Sequence, residues 1–472
     1  MFPHKCLKQE NFEIPDKMEE ECGVFGVWSP NTANTSWDTY MGLFALQHRG
    51  QESAGISVID GQKVQTKKDM GLVGEVFSED ILESLEGKVS VGHVRYSTSG
   101  NSTISNAQPL EGRSKFGAMA IAHNGNVVND KIIRELLEGS GIVFQTQIDS
   151  EVILHLIARG IEKGFEKAIT DAVSAIKGSF AIVMGIDDKL IGVRDPRGIR
   201  PLCIGKKDDK FFLSSESCAI HSLGGEVVRD VEAGEIVIID KNGITSVKSQ
   251  SRIASCTCSF EYIYFARPDS TIDGLNVYTS RVNAGMRLAM EDQIDADIIV
   301  GVPDSGMQAA VGYSKQSGIE WGLGLIKNRY IARTFINPSQ NLRERWVDLK
   351  LSAMRELVDG KRVVLIDDSI VRGTTSKKLV RIMREGGAKE VHFRVASPPV
   401  THSCFFGIDT PYRNELIASN MNVNEICELI EADSLRFLSI EGIVSSFDKE
   451  HGYCLGCFNG VYPMETQVEN QF

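Results

Sequence analysis

Apolar residues follow two different patterns along this chain. In the first half they form short runs spaced by glycine, as in CGVFGVW at residues 22–28, in Val89, Val91 and Val94, and in AMAIA at 118–122. Runs of that length, bounded by polar and turn-forming residues, predict strands. In the second half, apolar runs lead into glycine-containing turns and then into helical spacing. ADIIVGVPDSG (296–306) and VVLIDDSIVRGTTS (363–376) both read as a strand and a turn. Met286, Leu288 and Met290 before the first, and Leu379, Val380, Ile382 and Met383 after the second, read as helices. Strand, turn and helix in that order predict a parallel α/β sheet. A β-rich stretch at 227–240 marks the change of pattern. At 472 residues the chain exceeds one ordinary core, so two or three domains are expected.

The turn within 363–376 carries the most specific chemistry. Backbone N–H groups at a strand-to-helix turn point outward and can cradle a phosphate, and Ser and Thr hydroxyls add donors. Asp367 and Asp368 immediately before it suit ribose hydroxyls or a magnesium ion. An ordinary turn with two solvated acids is the plain alternative. Asp304 and Ser305 end the earlier strand at a second such turn, where a helix cap is the alternative. Between the two turns, residues 324–352 are basic and lose clean periodicity from Thr334 to Trp346, as a functional lid or a solvated loop does. Lys327, Arg329, Arg333 and Lys350 are its candidates for an anionic ligand.

The first half offers a nucleophile. If the polar leader, residues 1–21, were cut away, Cys22 would carry a free α-amine of pKa about 8 that could serve its own thiol as base. Arg95 can grip a carboxylate in bidentate fashion. The Asn124 amide and Gly125 N–H can form an oxyanion hole, and Asp149 can bind an ammonium group. A buried strand cysteine, a Gly-Asn turn and a surface salt bridge are the corresponding structural alternatives.

Taken together, Cys22, QHRGQESAG (47–55), HVRYST (93–98) and HNGN (123–126) resemble the class II glutamine amidotransferases. That resemblance implies Cys22 as nucleophile, Asn124 and Gly125 as oxyanion donors, and Arg95 and Asp149 as the groups holding glutamine. Residues 363–376 resemble the phosphoribosyl-pyrophosphate signature of type I phosphoribosyltransferases. ECGVFG, HVRYST, EYIYFARPDS (261–270), GLIKNRYIARTFI (324–336) and LIDDSIVRGTTS in one chain resemble the amidophosphoribosyltransferase family almost from end to end.

The family resemblance implies an α+β and α/β fold, with an αββα N-terminal-nucleophile sandwich ahead of a phosphoribosyltransferase domain. The expected division is a leader at 1–21, a glutamine amidotransferase domain at 22–255, a phosphoribosyltransferase domain at 256–445 and a tail at 446–472. It implies glutamine-dependent synthesis of 5-phosphoribosylamine from 5-phosphoribosyl 1-diphosphate, the committed step of purine synthesis. Ser305, Asp367 and Asp368 are then expected around magnesium. Asp304 and Lys327 join them at the phosphoribosyl substrate, with Ser369, Arg372, Gly373, Thr374 and Thr375 in its phosphate turn. Inhibition by purine nucleotides and a homotetramer are further implications.

Composition narrows the classes. A net charge of −12 argues against a general nucleic-acid binder. No apolar run approaches a membrane span, and the leader lacks a signal peptide's apolar core, so a cytoplasmic enzyme is expected. Ten cysteines then point to catalysis, metal or burial. Cys203, Cys218 and Cys427 read as core residues. Cys258, Cys404 and the pair Cys454 and Cys457 could hold zinc or an iron–sulfur cluster, or form a redox pair. The family resemblance implies a [4Fe–4S] cluster, with Cys256 a near competitor of Cys258.

Overall fold

The computed structural model describes residues 22–32, 34–96, 103–114, 117–248, 253–328, 351–447 and 452–465. Leader residues 1–21 and the lid candidates Arg329, Arg333 and Lys350 lie outside the described residues.

The N-terminal half packs two antiparallel sheets face to face. In spatial order, one sheet runs Glu226–Asp230, Cys203–Lys207, Lys210–Ser214, Gly23–Trp28, Val89–Arg95, Ser53–Asp60 and Lys63–Met70. The other runs Gly243–Lys248, Glu235–Asp240, Lys189–Arg194, Gly178–Ile186, Gly117–Val127 and Leu110–Ser114. The strand Gly23–Trp28 is buried throughout because both its faces are covered. Val24 and Trp28 enter the layer between the sheets beside Val91, Ala120 and Val183. Phe25 and Val27 point the other way, toward Leu43 of the helix Thr35–Ala45 and Ile220 of the helix Ser217–Ser222. Helices Ser150–Gly160 and Phe165–Ala175 cover the far side of the second sheet through Ile153, Ile157 and Ile169. The result is the expected αββα sandwich. The 227–240 stretch divides between the two sheets rather than forming one border. Glu226–Asp230 is an edge strand of the first, and Glu235–Asp240 is interior to the second.

The C-terminal half is built on four parallel strands in the order Ile298–Gly301, Arg362–Asp367, Glu390–Val395 and Ser434–Phe437. Helices Val277–Glu291 and Met307–Ser317 pack on one face, where Val364 and Ile366 point. The helix Thr374–Glu385 packs on the other through Leu379, Val380 and Met383, against Val363 and Leu365. That alternation explains the continuous apolar run before Asp367: both faces are buried. The short strands Thr257–Cys258 and Tyr453–Cys454 pair in parallel and bring the tail back onto the domain junction. Cys203 and Cys218 are core residues as expected, whereas Cys427 is only half-buried, because it sits on the short helix Val423–Leu429 at the surface.

Candidate active sites

Cys22 precedes the central strand of the first sheet, and Arg95 closes the neighbouring strand, with Gly23 registered on Val94. Both side chains are buried. The Cys22 thiol donates to the Tyr96 carbonyl at 3.5 Å. Burial pushes this thiol up to about 12, partly opposed by the positive charges of Arg95 and Arg49 and reinforced by Asp149. Arg95, Asp149 and Cys22 thus share one electrostatic neighbourhood.

Asn124 and Gly125 lie on the strand Gly117–Val127 of the second sheet. His93 Nε2 donates across to the His123 carbonyl at 3.1 Å, tying this strand to the one that carries Arg95. Both polar atoms of the Asn124 side-chain amide are buried without a hydrogen-bond partner among the described residues. Buried amides are rarely left so, and this one is spare for a ligand. Gly125 has φ +143°, and a Cβ there would lie 2.0 Å from the Ser179 carbonyl oxygen, so no other residue fits. Asp149 immediately precedes the helix Ser150–Gly160, and its carboxylate accepts from Val127 N–H at 2.8 Å. Burial raises its carboxyl, but His123 and the N–H groups of Val127 and Ser150 outweigh that and hold it below the ordinary range.

In the second half, Asp304 and Ser305 follow the strand Ile298–Gly301, and Asp368 follows the adjacent strand that ends at Asp367. Gly301 is registered on Ile366, so the two turns sit side by side at the strand C-termini, where open α/β sheets bind ligands. The Ser305 hydroxyl donates to Asp368 Oδ2, and the Ser369 hydroxyl donates to Oδ1 of the same carboxylate at 2.6 Å. Asp367 accepts from the Asp368 N–H at 2.9 Å. Gly373, at φ +85°, turns the chain into the helix Thr374–Glu385, whose first residues are Thr374 and Thr375. Arg372 instead pairs with Glu415 at 2.8 Å. Lys327 ends the short strand Leu325–Lys327, which pairs with Leu351–Ala353, and its ammonium meets Asp304 at 2.6 Å. A cavity between Ser305, Asp368, Arg281, Tyr262 and Phe447 opens behind these turns.

The four cysteines converge at the junction. Cys258 is registered on Cys454, and the charge on Cys457 would be felt by Cys454, Cys258 and Cys404. Burial raises the thiols of Cys258, Cys404 and Cys457. The Cys256 thiol lies close enough to Cys454 for that neighbour to lower it below the ordinary thiol range. Among the described residues, no three His, Cys, Asp or Glu side chains are close enough to hold one metal ion.

Three buried charged residues beside these sites, Arg49, Glu216 and Glu261, carried no individual signal in the sequence, although Arg49 and Glu261 lie within the QHRGQESAG and EYIYFARPDS motifs. Arg49 is completely buried, its Nε donating to the Cys22 carbonyl at 3.2 Å and its Nη1 reaching Glu216 and Glu261 at 2.7 and 2.9 Å. Glu216 lies among Ser214, Ser215 and Ser217 in FFLSSESCAI, a polar interruption between two apolar runs that gave no sign of a buried partner.

Comparison with known proteins bears on the family and the two-part fold. Residues 93–222 match the glutamine amidotransferase domain family, and residues 282–397 match the phosphoribosyl transferase domain family. The amidophosphoribosyltransferase of Bacillus subtilis is 48% identical over 454 residues, covering 95% of both chains. That of Archaeoglobus fulgidus is 48% identical over 95% of this chain and 99% of its own. This chain belongs to the amidophosphoribosyltransferase family. The solved B. subtilis glutamine phosphoribosylpyrophosphate amidotransferase, complexed with ADP and GMP, superposes with a TM-score of 0.89 at 48% identity, over 95% of this chain and 98% of that one. As a member of the amidophosphoribosyltransferase family, the chain is an enzyme of the first step of purine synthesis, with a glutamine amidotransferase half ahead of a phosphoribosyltransferase half. No described helix is long and apolar enough to cross a membrane.

Proposed function

We propose the following division of labour between the two sites. Arg95 holds the α-carboxylate of glutamine and Asp149 its α-ammonium. The Cys22 thiol, once the leader is removed and its own amine can accept the proton, attacks the side-chain amide. Asn124 Nδ2 and the Gly125 N–H take the negative charge on the amide oxygen. Ammonia leaves, and water clears the thioester to give glutamate.

In the second half, the phosphate turn formed by Ser369, Arg372, Gly373, Thr374 and Thr375 holds a phosphate of 5-phosphoribosyl 1-diphosphate. Asp304, Ser305 and Lys327 face the leaving diphosphate. Ser305, Asp367 and Asp368 are the oxygen donors for magnesium, an all-oxygen set of the kind that ion takes. When bound, it supplies charge neutralisation at the departing diphosphate. Ammonia crosses from the first site sheltered from water, where it remains an uncharged nucleophile, and joins C1 of the ribose.

Cys258, Cys404, Cys454 and Cys457 are the thiolates for a [4Fe–4S] cluster. The reading is supported by the register of Cys258 on Cys454 and by the electrostatic influence of Cys454, Cys258 and Cys404 on Cys457. The cluster would supply a covalent anchor for the tail and no redox step. The domain limits at 22–255, 256–445 and 446–472, inhibition by purine nucleotides, a homotetramer and a cytoplasmic location follow the family resemblance.

The observation that carries the glutaminase assignment is the buried, unpartnered Asn124 amide on the strand tied to that of Arg95. The test is pyrophosphate release by anaerobically purified protein, with glutamine and then ammonium as nitrogen source. Turnover with both supports the whole scheme. Turnover with ammonium alone overturns the assignment of the first site, and turnover with neither overturns both.

A further inference from the structure

The strand Gly117–Val127, which carries Asn124 and Gly125, is paired to its end on one side only. The strand Gly178–Ile186 accompanies it there as far as Val127, which is registered on Gly178. On the other side, the edge strand Leu110–Ser114 stops at Ile121, registered on Leu110. Residues of an antiparallel strand direct their N–H and C=O groups alternately to the two sides. Ala118 accepts from the Asp187 N–H at 3.2 Å, and Val128 donates to the Lys177 carbonyl at 2.8 Å, so the even-numbered residues face the long neighbour. Ile121, His123, Gly125 and Val127 therefore turn their N–H groups to the other edge.

Two side chains close that edge, one on each side of Gly125. If the register of the short strand continued, its next rung would join Gln108 to His123. The Gln108 backbone carbonyl is instead turned to the first sheet, where a Cβ on Gly55 would lie 2.1 Å from it. The buried Gln108 side chain makes the rung in its place. Its Oε1 accepts from the His123 N–H at 2.8 Å, and its Nε2 donates to the His123 carbonyl at 3.4 Å, which His93 also serves. The segment is anchored by Lys68, whose ammonium donates to the carbonyls of Ala107 and Pro109 at 2.6 and 3.2 Å. Beyond Gly125, Asp149 takes the Val127 N–H at 2.8 Å. Between these two supports the Gly125 N–H is left facing the open edge among the described residues.

We propose that Gln108 is a positioning residue for the oxyanion site: by completing the rung at His123, it fixes the direction of the Gly125 N–H two residues on. This rests on the reading of Asn124 and Gly125 given under Proposed function. An oxyanion donor works only when it is aimed in advance at the place where charge develops. A neutral amide suits the task, because it offers one acceptor and one donor to a backbone that presents one of each. Ground-state glutamine gains little from the same N–H, so misdirecting it falls on kcat and not on KM.

The test compares the holoenzyme with two variants. Gln108→Met keeps the length of the side chain and neither hydrogen bond, and Gln108→Asn keeps the amide but draws it back by one methylene. Both should lower kcat for glutamine by about 10- to 100-fold, short of the loss of an oxyanion donor outright, with KM little changed. Ammonium-dependent synthesis makes no use of this strand and should stay near the parent rate, which certifies the fold. Alkylation of the Cys22 thiol by iodoacetamide passes through no oxyanion and should also keep the parent rate, whereas a general loosening of the site would change it. A parent-like kcat in folded Gln108→Met overturns the proposal, as does a loss matched by an equal change in KM or in alkylation. Should Gln108→Met fail to fold, Gln108→Asn decides by the same comparison. A parent that uses ammonium but not glutamine would instead bring down the glutaminase reading beneath it.

Discussion

Gly407 packs directly on Gly125: a Cβ at Gly407 would lie 2.9 Å from both the Cα and the carbonyl carbon of Gly125. The contact is one of several by which a single transferase-side loop braces the oxyanion strand. Asn126 Nδ2 donates to the Phe405 carbonyl at 2.9 Å, and the Ser179 hydroxyl donates to that of Phe406 at 2.7 Å. Cys404 begins the same loop. The backbone proposed to stabilise a developing negative charge in one half is therefore held in place by the other half.

Gly407→Ala tests this brace. The position has φ +92°, so an alanine there is strained even before it meets Gly125. Distortion worth about 1–3 kcal/mol is expected, and if it falls on Gly125 it lowers glutamine-dependent kcat on the order of tenfold. Ammonium-dependent synthesis bypasses that strand and should change far less. Parallel assays with the two nitrogen sources read the difference, and an equal loss in both would show that the loop does not serve the oxyanion site specifically.

Cys22→Ala separates the two halves more sharply. Among the described residues the thiol's hydrogen bond is the long one of 3.5 Å to Tyr96, so its removal should leave the surrounding strands intact. Glutamine-dependent synthesis should vanish while ammonium-dependent synthesis continues at close to the parent rate. Loss of both in a folded variant would contradict independent half-reactions.

The same thiol predicts a pH dependence. With chain preceding it, Cys22 is pushed from 9.0 up to about 12 by burial, so at neutral pH almost none is thiolate. Alkylation by iodoacetamide, followed by mass spectrometry, should then rise about tenfold per pH unit between pH 7 and 9 without levelling. In protein beginning at Cys22, the free amine of pKa about 8 becomes available as base, and the profile should bend there. The sign for stability is the reverse of a carboxylate's. A raised folded pKa favours the protonated thiol in the native state, so this contribution is complete below about pH 9 and is lost as pH rises toward 12.

Much of this arrangement was legible in the sequence, and the remainder was hidden for a definable reason. Local order betrays a strand that ends in two acids and a glycine turn, so Asp367, Asp368 and Gly373 could be placed from residues 363–376 alone. Asn124 and Gly125 were readable in the same way, from a polar interruption at the end of an apolar run. Arg49, Glu216 and Glu261 meet across separations of 167 and 212 residues. No local pattern specifies such pairings, and each residue taken singly looks like a surface charge. The half-buried Cys427 was misjudged because apolar neighbours on a short amphipathic helix do not all face inward.

Asp368→Asn should disable the second site while sparing the first. One carboxylate oxygen takes the Ser305 hydroxyl and the other takes that of Ser369, so the isosteric amide preserves shape but loses charge and one acceptor. Turnover with either nitrogen source is expected to fall on the order of 100-fold, because charge at the leaving diphosphate is no longer neutralised. Glutamine hydrolysis measured without the phosphoribosyl substrate should remain. Unaltered pyrophosphate release would remove Asp368 from the magnesium and substrate site.

Cys454→Ser tests the cysteine junction together with its mechanical consequence. Cys454 is registered on Cys258, and the Ser259 hydroxyl donates to the Cys454 carbonyl at 2.8 Å, so the backbone there has support of its own. Losing one thiolate should lower the iron content from about four per chain without unfolding the sandwich. Because Cys404 and Gly407 share a loop, release of the thiols should appear as faster amide exchange at residues 404–407 as well as at 453–459. Glutamine-dependent activity should then decline more than ammonium-dependent activity, since the loop braces Gly125. Full iron content in this variant would remove Cys454 from the ligand set in favour of Cys256, whose thiol lies beside it. Loss of iron with unchanged exchange at 404–407 would mean that the junction holds the tail alone and that the brace on the oxyanion strand stands by packing.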